Sequence, residues 1–268
     1  MAAGKAPLAV VTGASSGLGA ALAPLLVQEG YRLLLVGRRQ ESLQRVCASC
    51  GGDCTVLSAD LVSEEGRNAL FSLFGTSTMG EPSLLINSAG MGDYGAFIEA
   101  DPERLTAQID LNVSATTLVI RHMAERMKRQ GRGVISTVAS VAGFFPGPLM
   151  AVYYATKAYQ LSLSQALDAE LAPAGVRSLV VCPGPFVSSF HETAGIVSDA
   201  VYSGLPVPDA SAIARYVMRS IRRGRGVAVP GILFRMLVAF QRLLPRRLVT
   251  ALVHRQQRSR RGSGDSVI

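Results

Sequence analysis

The sequence predicts an α/β fold, a doubly wound parallel sheet in a single domain, carrying a basic amphipathic C-terminal extension. Three observations lead there. Leu8-Ala9-Val10-Val11-Thr12 is a continuous apolar run, as in a strand buried on both faces, and it passes through a glycine turn into an apolar helix over 20–27. Apolar strands then alternate with helical segments along most of the chain, which is the pattern of βαβ units. The 268 residues are 49% hydrophobic and only 17% charged, which supports one large core and argues against disorder.

The first turn reads Gly13-Ala14-Ser15-Ser16-Gly17-Leu18-Gly19. Its spacing, Gly-x-x-x-Gly-x-Gly, differs from the common Gly-x-Gly-x-x-Gly fingerprint, and no Gly-Lys-Ser/Thr of a P-loop follows. The chemistry is still that of a phosphate site. Amides at the start of a helix point outward unpaired, the helix dipole favours an anion there, and glycine lets a pyrophosphate approach the backbone. A dinucleotide is the expected ligand.

Gly30 stops the first helix, and Tyr31-Arg32-Leu33-Leu34-Leu35-Val36 is the second strand, ending at Gly37-Arg38-Arg39. An acid at this strand end would hold the adenosine ribose hydroxyls. None occurs before Glu41, whereas two arginines suit a 2′-phosphate, so NADP(H) is favoured over NAD(H). A helix over 41–50 leads to strand 55–59, ending at Asp60-Leu61. Ser63 with Glu64 and Glu65 opens a helix over 63–74. Strand 83–86 ends in Asn87-Ser88-Ala89-Gly90, and a single long helix is expected over 101–129, with Asn112 as a poor helix former inside it. Strand 133–138 precedes Ala139-Ser140, and a helix follows over 153–173. Strand 176–181 ends at Cys182-Pro183-Gly184, then come a helix over 209–222 and a last short strand over 227–229. Ligands of such sheets bind at the carboxyl ends of the strands, so the loops after Thr12, Gly37, Asp60, Asn87, Val138 and Cys182 should meet at one crevice.

Tyr153 and Lys157 are four residues apart and share a helix face. An ammonium beside a phenol favours phenolate, which should lower the tyrosine pKa from about 10 and fit it for general acid/base work. Cys47, Cys50 and Cys54 have no nearby histidine or fourth cysteine to complete a metal set, so no metal is expected, and reduced thiols in a cytoplasmic setting are the reading. The N-terminal 1–7 lacks the apolar core of a signal peptide.

Taken in order, Thr12-Gly13-x-x-x-Gly17-x-Gly19, Asn87-Ser88-Ala89-Gly90, Asn112, Ser140, Tyr153-x-x-x-Lys157 and Pro183-Gly184 resemble the short-chain dehydrogenase/reductase family, in its compact form with a Rossmann-type sheet, over roughly residues 6–230. The family usually has Asn-Asn-Ala-Gly where this chain has Asn87-Ser88-Ala89-Gly90, a change in a structural turn. The resemblance implies that Tyr153 exchanges a proton with the substrate oxygen, that Ser140 polarises the same oxygen, that Lys157 binds the nicotinamide ribose and lowers the Tyr153 pKa, and that Asn112 holds a water leading from Lys157 to solvent. It also implies that Ser15, Ser16, Leu18 and Gly19 cradle the pyrophosphate and that Asp60 and Leu61 sit by the adenine. Asn87, Ala89 and Gly90 would line the ribose side, and Val187, after Pro183-Gly184, would face the carboxamide, with a hydroxyl from Ser188 or Ser189 nearby. A dimer or tetramer is implied as well.

Phe144, Phe145, Pro146, Leu149 and Met150, with Phe186, Phe190 and His191 beyond the Pro-Gly turn, suit an apolar carbonyl or alcohol substrate such as a 3-oxoacyl or ketosteroid-like compound. The expected activity is an NADP(H)-dependent oxidoreductase. The competing reading is a non-catalytic NADP-binding sensor or a membrane-surface partner protein.

Residues 210–264 hold thirteen arginines and no acid, so the net charge of +8 hides an acidic body and a basic end. The extension, 231–268, reads as two amphipathic helices broken at Pro245, too interrupted by arginine to span a membrane, with 255–268 disordered. Arg235, Arg242 and Arg246 should share one face, opposite Leu233, Met236, Leu237, Phe240 and Leu244. A peripheral membrane surface, a neighbouring subunit and an acidic carrier remain open as partners. Nucleic acid is excluded, since no aromatic interleaving or recognition motif accompanies the arginines.

Overall fold

The computed structural model describes residues 6–75, 79–188, 194 and 207–258. Seven strands form one parallel sheet: β1 (Leu8–Thr12), β2 (Arg32–Gly37), β3 (Cys54–Ser58), β4 (Pro82–Asn87), β5 (Gly133–Val138), β6 (Val176–Val181) and β7 (Val227–Ala228). Their order is β3-β2-β1-β4-β5-β6-β7, so the chain reverses its winding between β1 and β4. That reversal opens the crevice in which ligands of such sheets bind. All five residues of β1 are buried, as the apolar run requires.

Helices α1 (Gly17–Gln28), α2 (Gln40–Cys50), α3 (Glu64–Ser72), α4 (Pro102–Ile109), α5 (Thr116–Gln130), α6 (Ala151–Leu171) and α7 (Ala210–Arg222) follow. One core packs α1 and α7 on the sheet through Leu18, Leu22, Leu26, Ile213 and Val217. The other packs α3 and α5 on the opposite face through Leu70, Val119, Met123 and Met127. Local signals act as expected: Ser63 Oγ accepts from the Gly66 amide at 3.0 Å and caps α3.

Three expectations are corrected. The long helix over 101–129 is divided, because residues Asp110–Ala115 form a π-helical turn between α4 and α5. Asn112 sits within it, fully buried, its side-chain amide donating outside the helix to the Met91 carbonyl and to Thr156. Cys47 and Cys54 are paired as a disulfide linking α2 to β3, in place of reduced thiols, while Cys50 and Cys182 are free. The physical reason is proximity: the turn after α2 brings the two Cα atoms to 5.7 Å.

The third concerns the extension. It forms α8 (Ile232–Phe240) and α9 (Arg246–Arg258), broken at Pro245, but helix continues to Arg258 where disorder was expected; residues 259–268 lie outside the described residues. Both helices fold back on their own chain. Arg235 does not join Arg242 and Arg246 on an outer face. Its Nε donates to the Val229 carbonyl at 2.8 Å and its guanidinium stacks on Tyr216. Gln257, 1% exposed, donates to the Tyr154 hydroxyl at 2.8 Å, and its carbonyl accepts from the Tyr94 hydroxyl at 2.6 Å. No described helix is long and apolar enough to cross a membrane.

Candidate active site

At the carboxyl ends of the strands lies a cleft of about 1230 Å³. The loops expected to converge do so, because Thr12 ties the two central strands together. Its Oγ1 accepts from the Ser88 and Ala89 amides at 3.1 and 3.2 Å and donates to Asn87 Oδ1 at 3.1 Å. Asn87 is held in turn by Thr116, its Nδ2 donating at 3.3 Å. Asn87 thus shapes the turn from behind, while Ala89 and Gly90 form the wall.

One end of the cleft is built for an anion. Gly13 and Gly17 have φ of +67° and +56°, which glycine adopts without strain. A Cβ on Gly13 would lie 2.8 Å from the Ala89 backbone, so the β1 and β4 turns meet only because none is there. Gly19 serves the same closeness: a Cβ there would sit 3.1 Å from Ala14 Cα, and the residue lies behind the wall. Ser16 occupies the N-cap of α1 without capping it, and no acid stands in the first turn, so the leading amides are left for a ligand. Ser15, Ser16, Gly17 and Leu18 line this end, with Arg38, Arg39, Asp60 and Leu61 beside them. Arg39 is already turned toward the turn, donating to Ser16 Oγ at 2.9 Å and Ser15 Oγ at 3.3 Å.

The middle of the cleft carries the titratable groups. Ser140 follows β5 with an extended backbone. Its Oγ accepts from the Ala142 amide at 3.1 Å and lies 3.4 Å from the Pro183 carbonyl. Tyr153 stands in the first turn of α6, and its phenol hydrogen-bonds Ser140. Lys157 is one turn further, 5% exposed, its Nζ 5.7 Å from the Tyr153 ring centroid. Nζ donates to the Val138 carbonyl at 3.1 Å and to Gln160 Oε1 at 2.9 Å. Gln160 Nε2 donates to the Asn112 carbonyl at 2.8 Å. The Asn112 side chain bonds both the amide and carbonyl of Met91 and donates to Thr156 Oγ1 at 3.0 Å. Lys157 and Asn112 are therefore joined through Gln160. Sequence reasoning missed this residue, although Tyr153, Lys157 and Gln160 fall on one helix face at spacings of four and three.

The expected lowering of the Tyr153 pKa is corrected. Burial pushes the phenol well above its ordinary value, and the bond to Ser140 only partly offsets this. The ammonium is engaged by the Val138 carbonyl and by Gln160. Burial also pulls Lys157 down to about 8 and pushes the neighbouring Cys182 thiol up to about 12.

The far end is apolar. Phe145 and Met150 line it with Pro183, Gly184 and Phe186, and the extension roofs it through Leu233, Phe234, Leu237, Phe240 and Leu244. Phe234 fits against Gly184, where any side chain would overlap its ring. Phe144 packs instead in a small cluster with Leu161 and Val180. Val187 is 55% exposed, in a bridge with Asp209 outside the lining, whereas Ser188 lines the cleft. Ser189, Phe190 and His191 lie outside the described residues.

The sequence matches the family described as short chain dehydrogenase over residues 7–195. The structure is similar to a short-chain dehydrogenase from Sphingobium yanoikuyae in complex with NADPH, with 28% identity, a TM-score of 0.80 and coverage of 97% of this chain and 98% of that one. A 3-ketoacyl-(acyl-carrier-protein) reductase from Brucella melitensis complexed with NADH has 27% identity and a TM-score of 0.75 over 83% and 95% of the two chains. The bulky-bulky ketone specific alcohol dehydrogenase from Comamonas testosteroni has 26% identity and a TM-score of 0.75 over 98% of each. With its motifs in order along a seven-stranded parallel sheet, the chain belongs to the short-chain dehydrogenase family, and it is an oxidoreductase.

Proposed function

We propose that this oxidoreductase reduces the carbonyl of a bulky apolar ketone with NADPH, or oxidises the matching alcohol with NADP. The observation that carries the proposal is the row Ser140, Tyr153 and Lys157, set between an anion-binding turn and an apolar chamber.

The glycine turn, the open amides of α1 and the two arginines fit a dinucleotide with a 2′-phosphate, and Arg39 is the residue placed to reach that phosphate. When bound, NADPH supplies the hydride that reduces the carbonyl carbon. The phenol of Tyr153 then gives its proton to the carbonyl oxygen. The Ser140 hydroxyl bonds the same oxygen and stabilises the charge developing on it. Lys157 binds the ribose hydroxyls, with Gln160 and the Val138 carbonyl fixing its ammonium. Gly13, Gly19, Asn87, Asn112 and the Pro183-Gly184 turn act by shaping these walls.

The substrate reading draws on the lining: beyond Tyr153, no charged side chain lines the chamber among the described residues. A lipophilic ketone suits it better than a free acid. Likeness to the Comamonas enzyme, which shares the chain's full length, points the same way. Assembly into a homodimer or homotetramer is part of this proposal and is supported by the exposed Ile109, Leu118 and Tyr159 on α4, α5 and α6.

The test follows loss of NADPH absorbance with a panel of ketones, beside NADH. Turnover of bulky ketones with NADPH supports the reading. Cofactor binding without turnover of any ketone would leave the non-catalytic sensor, and equal rates with NADH would remove the NADP preference.

A further inference from the structure

We propose that the outer face of α8, with the basic segment after it, docks this protein on an anionic lipid surface. Ile232, Met236, Phe240 and Leu243 are 76%, 64%, 63% and 78% exposed. Spaced by four, four and three, they form one stripe along the helix and the turn that continues it. Side chains of this size are seldom left in water together on one face without a partner.

Charge says what that partner is. Arg242, Arg246 and Arg247 stand exposed at the end of the stripe. Among the described residues none of the three is in an ion pair. Arg255 and Arg258 continue the basic run along α9, and no acidic residue occurs from 210 to 264. A short helix with a bare apolar stripe and flanking arginines is the form that lies in a membrane interface: apolar side chains enter the headgroup region, and cations meet anionic lipid. A second copy of the chain is the poorer occupant, because the same face of another copy offers these arginines no acid to pair with.

The same helix is a wall of the cleft on its other side, through Leu233, Phe234 and Leu237, with Phe240 at the boundary. Docking would therefore set the apolar chamber against the bilayer. The docking itself does not depend on the catalytic reading.

The full chain is sedimented with vesicles of phosphatidylcholine alone and of phosphatidylcholine mixed with phosphatidylserine. Two variants accompany it, Ile232→Ser/Met236→Ser/Leu243→Ser and Arg242→Gln/Arg246→Gln/Arg247→Gln, all at positions outside the cleft lining. The wild type should sediment with the anionic vesicles, less so as salt rises, and each variant should need about tenfold more lipid or worse. Thermal unfolding and light scattering serve as controls for folding and size. Failure of the wild type to bind anionic vesicles, or equal binding by well-folded variants, overturns the proposal. A change of oligomer size in the apolar variant, with vesicles ignored by the wild type, assigns the face to contacts between copies instead.

Discussion

Gln160 accepts the Lys157 ammonium through Oε1 at 2.9 Å and, through Nε2, donates to the Asn112 carbonyl at 2.8 Å. One buried amide thus holds both the cation beside Tyr153 and the π-turn between α4 and α5. The π-turn is where the long helix gives up regular pairing, and this bond fixes one of the carbonyls it presents.

That bond makes Gln160 a positioning residue with a pH signature. An acceptor favours the charged ammonium, so Gln160→Leu should lower the Lys157 pKa below its value of about 8. Hydrogen bonds to charged groups are worth about 1.5–3 kcal/mol, so the shift should reach about one unit or more. In the reductive direction, kcat/KM against pH should show an alkaline limb near 8 that moves to lower pH in the variant. A limb that does not move would separate Lys157 from the profile. Stability carries the opposite sign. Between about 8 and 10.5 the unfolded chain holds a lysine proton that the folded chain has released, so this group's contribution to stability rises with pH through that window.

Tyr153→Phe removes the proposed proton donor and leaves the ring. Turnover should fall by about 10²–10⁴-fold while NADPH binding, followed by its fluorescence, stays close to wild type. Near-normal turnover would mean that another acid serves the carbonyl oxygen.

Arg39 leans on the phosphate turn through Ser15 and Ser16. Arg39→Ala should raise the Kd of NADPH by about tenfold while changing that of NADH little, since only the former carries a 2′-phosphate. Titration calorimetry with both cofactors checks this. Equal losses would mean that the phosphate is read elsewhere.

Gln257 pins α9 beside the chamber by its bonds to Tyr154 and Tyr94. Gln257→Leu removes the bond to the half-buried Tyr154 hydroxyl, a loss of about 0.5–1.5 kcal/mol. Thermal unfolding should shift down, and trypsin should cut the arginine-rich extension sooner. If the extension is as resistant as before, α9 is held by its apolar contacts alone.

The sheet was legible because its signals are local. Strands buried on both faces read as unbroken apolar runs, Ser63 announces a helix start, and glycine marks the turns where the backbone needs a left-handed conformation or close approach. Tyr153 and Lys157 could be paired from helix periodicity, which fixes which residues share a face, whereas Ser140, in the turn after β5, was reached only through the family resemblance. The Cys47–Cys54 pair and the π-turn at Asn112 were not legible, since each depends on what a neighbouring segment brings within reach.

Sequence alone thus determined the order of strands and helices and the residues that meet at their ends, because backbone hydrogen bonding and side-chain periodicity act over a few residues. Only the tertiary structure decided the state of those residues. Burial, a property of the whole packed chain, raised the phenol of Tyr153 and lowered the ammonium of Lys157. It also made the basic extension a wall of the cleft, since Phe234 fits against Gly184, fifty residues earlier, where a side chain would overlap its ring.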